Sequence, residues 1–130
     1  MPLTLQEVAR QIREALEDPE RGEREAWLPI REFLDEFRAA DPHTREAMIA
    51  DRPDPAGDPR FDAYLAALAE YLALRHGLPV PVWVEESNRF LDRWWFPTSF
   101  RSLHAMALVE SPASFRRRGI FVDHTEFERC

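Results

Sequence analysis

The chain has 130 residues and no lysine; all seventeen of its basic residues are arginine. Lysine Schiff bases, a phosphate-loop lysine and a lysine general base are thereby excluded, and each cationic contact falls to a planar, permanently charged guanidinium. Cysteine is almost absent too. With Cys130 alone there is no intrachain disulfide and no four-cysteine zinc site, usage that suits a reducing cytosol. Four scattered glycines leave no glycine-rich phosphate loop. Long hydrophobic runs are also missing: nothing approaches about eighteen apolar residues, and MPLTLQEVARQIREALEDPE is an amphipathic acidic pattern without a signal peptide's apolar stretch. We therefore expect no membrane association and a cytoplasmic location.

What is present suffices for a single core: 45% of residues are hydrophobic and 12% aromatic, while 32% charged keeps the surface wet. The net charge of −7 argues against a surface that grips nucleic acid or anionic lipid all over. The charge is uneven. Residues 1–60 carry 15 acids against 9 arginines, whereas residues 87–118 carry six arginines against Asp92 and Glu110 only.

Helix signals recur along the chain. Thr4 and Glu7 have capping-box spacing, and Leu5, Val8, Ala9, Ile12, Ala15 and Leu16 form an apolar stripe ending near Asp18-Pro19. PERGERE reads as a connection, followed by a second stripe, Trp27 to Phe37, with Pro29 in its first turn. Asp41-Pro42 opens a short helix to Ala50 with Ala47 and Met48 inward. Residues 51–59, DRPDPAGDP, read as a proline-rich linker or exposed loop. Asp58-Pro59 opens the strongest helical pattern, Phe61 to Leu72, with Gly77 placed to end it. Beyond it come an extended stretch with a helical turn around Trp83, a short helix from Ser87, and a helix from Thr98 or Ser99 carrying Phe100, Leu103, Ala107 and Leu108. Another short helix opens at Ser111-Pro112 and is ended by Gly119. The expected architecture is all-α: a compact bundle of six or seven short helices without a substantial sheet. An acidic helical segment (1–50), the loop (51–59) and an arginine- and aromatic-rich helical region (60–130) make one domain overall.

Catalytic signatures are lacking. There is no G-x-S-x-G, and Glu85 and Glu86, adjacent on a helix, would point about 100° apart. The histidines His43, His76, His104 and His124 share no metal-ligand spacing; His76 beside Gly77 suits a helix C-terminus, where a cation interacts favourably with the dipole. No cofactor or metal is expected, and a metal-dependent enzyme using His104, His124 and Glu126 is the weakest alternative.

The densest constellation pairs arginine with aromatics: Arg89, Arg93, Trp94, Trp95 and Arg101, then Phe115, Arg116, Arg117 and Arg118. These are residue types that carry interface energy. Three readings compete: core aromatics with internal salt bridges, a protein partner or self-association, and a phosphate-binding patch for nucleic acid. Trp94, Trp95 and Phe96 cannot all point the same way.

The stretch from Trp83 to the C-terminus, above all S-P-x-x-F-R-R-R-x-I-F-V at Ser111 to Val122, resembles the C-terminal domain of bacterial, actinobacterial-type antitoxin or regulator proteins encoded beside nucleotidyltransferase-type toxins. The resemblance covers residues 61–130. It implies a non-catalytic protein-interaction protein whose partner is the cognate toxin. Longer relatives of that kind begin with a helix-turn-helix; the acidic first sixty residues here depart from that pattern and show no basic recognition helix.

Overall fold

Thr4 caps the first helix with its Oγ1, which accepts from the Glu7 N–H at 3.2 Å and satisfies one of the orphan donors of the first turn. The helix, α1 (Leu5–Glu17), buries Leu5, Val8, Ala9, Ile12 and Ala15. The computed structural model describes residues 2–97 and 111–122. Among them lie five α-helices, two 3₁₀ turns and no sheet, so the fold is all-α with slightly fewer helices than expected. The expected helix from Thr98 or Ser99 lies outside the described residues.

Helix α2 (Gly22–Ala39) starts well before Trp27, so most of PERGERE is helix and not connection, and Pro29 sits inside it. The proline removes an N–H that would have reached the Glu25 carbonyl. The helix persists because Ala26, Ile30, Phe33 and Phe37 all bury on one side of it, and fully burying each large side chain is worth about 1.5–3 kcal/mol. Asp41 caps α3 (Pro42–Ala50) by accepting from Thr44 N–H at 2.8 Å; Met48 and Ile49 are inward, while Ala47 is exposed, one residue off the expected register.

Helix α4 (Pro59–His76) is buried almost all round, from Phe61 to Ala73, and forms the axis of the fold. Gly77 ends it at φ 67°, a left-handed conformation that a side chain disfavours. Around α4 pack the other helices, the 3₁₀ turns Val82–Glu85 and Ser87–Arg89, and α5 (Ala113–Arg116). The proline-rich loop is fastened down. Gln6 and Asp54 exchange two hydrogen bonds, the Ala56 N–H reaches Asp62 Oδ1 at 2.8 Å, and Pro53 and Ala56 are buried.

His76 corrects its expected role. It ends α4 with Nδ1 facing Arg45 Nη1 at 3.3 Å and its ring edge-on to Phe37. Burial, with Arg45 and Arg75 nearby, pushes its pKa below the ordinary histidine value, so it is neutral rather than a cation on the helix dipole.

Candidate interaction surface

The described part of the arginine- and aromatic-rich region forms two segments, 83–97 and 111–122, strapped together and onto α4. Ser111 Oγ and the backbone of Val122 exchange hydrogen bonds at 2.8 and 2.9 Å, closing the Ser111–Val122 block into a loop. The Leu91 and Trp95 N–H groups donate to the carbonyls of Arg118 and Gly119, and Phe121 N–H donates to Trp95, giving an isolated parallel bridge at Trp95 and Ile120. Gly119 permits this at φ 82°, where a Cβ would also sit 3.6 Å from the Leu91 carbonyl oxygen.

Two arginines of the candidate set are pins rather than contact residues. Arg89 is 1% exposed; its guanidinium donates to the carbonyls of Asp62 (3.1 Å) and Pro53 (2.9 Å) and lies 4.9 Å over the Trp83 ring. Burial lowers its pKa, opposed by the Asp62 and Glu86 charges, and burial likewise raises the Asp62 carboxyl. An arginine remains charged under such a shift. Arg118 is fully buried and donates to Glu70 Oε1 (3.0 Å) and to the carbonyls of Ser114 (2.7 Å) and Val84 (2.8 Å), against the Phe90 ring. Arg117 grips both Glu70 oxygens, at 3.0 and 2.6 Å, and also pairs with Glu85. Burial pushes the Glu70 carboxyl up, but hydrogen bonds from Arg117 and Arg118 outweigh it and hold the pKa below the ordinary value.

Phe115 is likewise internal, edge-on to Tyr64 at 5.2 Å and to Tyr71 at 6.1 Å. Trp95 faces the core, stacked on Trp27 at 5.9 Å and edge-on to Phe61 and Tyr64, with Arg60 over its outer side at 5.1 Å. Arg89, Phe115 and Arg118 therefore cannot touch a partner directly: each is already surrounded by the protein's own groups. Arg116 is exposed and bonds the Ser111 carbonyl at 3.0 Å; Arg101 lies outside the described residues.

Arg93 and Trp94 also face solvent, the latter 69% exposed. The backbone at 94–96 is extended, so alternate side chains diverge: Trp95 points in, while Trp94 and Phe96 flank Phe121, at 5.0 Å edge-on and 5.3 Å stacked. W-W-F is aromatic throughout, and it is the distant rings Trp27 and Phe121 that sort Trp95 inward and Trp94 outward.

Among the described residues no group of three His, Cys, Asp or Glu side chains could hold a metal ion, and no helix is long and apolar enough to cross a membrane. His104, His124 and Glu126 lie outside the described residues. No protein-family model, curated protein or solved structure matches the chain.

Proposed function

We propose that the chain is a non-catalytic, cytoplasmic interaction protein: the antitoxin or accessory partner of a nucleotidyltransferase-type toxin, the role implied by the resemblance of the Ser111–Val122 block. The observation that carries the interaction reading is Trp94, 69% exposed on a backbone held from both sides. A large aromatic presented on an ordered strap offers contact area at low entropic cost, and Arg93 beside it adds a charged, directional donor. An acidic protein also complements a cleft built to bind polyanionic substrate, which speeds association and shuts that substrate out.

The competing phosphate-patch reading loses ground because Arg89 and Arg118 are buried and Arg117 is engaged by two glutamates. Co-expression with the product of the neighbouring gene, followed by affinity pull-down, tests the proposal. A stable complex with relief of toxicity is expected; neither complex nor relief would overturn it.

A further inference from the structure

Near the start of α3, Arg45 commits every nitrogen of its guanidinium to one joint. Nε donates to the Phe37 carbonyl at 2.9 Å, Nη2 to the Arg38 carbonyl at 2.8 Å, and Nη1 faces His76 Nδ1 at 3.3 Å, with the cation 5.2 Å over the Phe37 ring. The fork is planar and rigid, so turning away from one acceptor carries it off the other two. Three elements are held by this one group: the C-terminus of α2, the first turns of α3 and the end of α4.

Only a neutral His76 fits the joint. Nδ1 must be bare to accept from Arg45, and Nε2 is buried without a hydrogen-bond partner. A proton added at Nδ1 turns the acceptor into a donor and sets two cations in contact. The charges that act on the ring are Arg45 from α3 and Arg75 from its own helix, and no acidic side chain is among them. From α2 it meets the Phe37 ring, edge-on at 5.3 Å, beside carbonyls that Arg45 already occupies. The far end of α3 is anchored separately: Met48 and Ile49 are buried, and the Trp83 indole N–H donates to the Ile49 carbonyl at 3.2 Å.

We infer that His76 is an acid-sensitive latch, whose protonation breaks the contact with Arg45 and frees the first turn of α3 and the last carbonyls of α2, while α4 and the far end of α3 stay in place. Burial and the two arginines hold the closed ring below the ordinary histidine value of 6.5. The closed form therefore refuses a proton that the open form accepts. The latch is fully shut above about pH 6.5 and loosens as pH falls through that value toward the lower, closed-state one. Each pKa unit between the two states multiplies the open population about tenfold at low pH. The device operates above the pH at which Glu70 takes up its proton, and it does not rest on the toxin-partner proposal.

Amide-resolved NMR between about pH 7.5 and 5.5 reads the latch on the folded chain. A His43→Gln background removes the exposed histidine on the first turn of α3. The His76 ring protons are expected to titrate with a midpoint below 6.5. Hydrogen-exchange protection of the Thr44 and Arg45 amides, which donate to Asp41, is expected to fall at least ~3-fold with that same midpoint, while the Leu65 to Ala69 amides of α4 keep theirs. His76→Gln supplies an amide oxygen to Arg45 and takes up no proton, so it abolishes the pH dependence of α3. A His76 midpoint at or above 6.5, α3 protection that is constant through the His76 titration, or a His76→Gln protein that still loosens with acid would each overturn the inference.

Discussion

Arg118 and Glu70, 48 positions apart, meet at 3.0 Å in the interior, where the arginine is fully buried and the glutamate side chain is 10% exposed. Arg117 holds the same carboxylate from the surface side. One acid on α4 thus holds both arginines of the Ser111–Val122 block, and its loss leaves Arg118 with a buried charge facing two carbonyls. Removing one partner of such a pair costs far more than the pair contributes relative to an apolar substitute. Glu70→Ala is expected to destabilise by about 3–5 kcal/mol, whereas Arg117→Ala, whose side chain is 41% exposed, costs about 1 kcal/mol or less. Urea denaturation of the two variants separates them; equal losses would show that the buried arm is not the dominant one.

The same carboxylate sets an acid limit. Its folded pKa lies below the ordinary value of 4.5, so the unfolded chain takes up the proton first as pH falls. The stability contributed is full above that unfolded value and is lost as pH drops toward the folded one. A pH series of urea midpoints should show stability falling below about pH 4.5 in the wild type and a shallower fall in Glu70→Gln, which has no proton to gain there.

Arg45 joins the ends of three helices. Its guanidinium donates to the carbonyls of Phe37 (2.9 Å) and Arg38 (2.8 Å) at the C-terminus of α2 and faces His76 Nδ1 at the end of α4. Arginine only donates, so Nδ1 accepts and the histidine proton resides on Nε2. Arg45→Met should raise the His76 pKa toward its ordinary 6.5 and cost about 1–2 kcal/mol through the uncapped carbonyls. Titration of the ring by NMR reads the first effect; an unchanged or lower pKa would exclude Arg45 as a cause of the shift.

Local signals were legible and distant ones were not. Thr4, Asp41-Pro42, Asp58-Pro59 and Gly77 mark helix ends by chemistry confined to a few residues, and all four act at those ends, although the Glu7 carboxylate turns to Arg10 and Gln11 rather than back to the cap. The start of α2 escaped because Gly22 to Glu25 are polar and face outward, and because a proline at position 29 reads as an early-turn residue. The proline-rich loop looked like a linker because its anchors, Gln6, Asp62 and Arg89, lie elsewhere in the chain. The same reason hid the fate of the arginines. Arg89 reaches carbonyls 27 and 36 positions away, and nothing in R-F-L-D-R-W-W-F distinguishes it from exposed Arg93.

Arg89 and Trp94 therefore make opposite predictions from adjacent turns of one segment. Arg89→Lys keeps the charge but loses the planar fork that spans Asp62 O and Pro53 O, and is expected to cost about 1–3 kcal/mol by leaving a buried carbonyl unsatisfied. Partner affinity per folded molecule should not change. Trp94→Ala removes a side chain that is 69% exposed and meets the Phe121 ring edge-on, so stability should move by no more than about 0.5 kcal/mol. If the ridge is the contact surface, the same truncation removes its central aromatic, and affinity for the co-expressed partner should fall at least ~10-fold. Calorimetric melting together with titration of each variant into the partner distinguishes the two roles. A Trp94→Ala protein that binds as tightly as the wild type would move the contact surface off the strap and onto another face of the bundle.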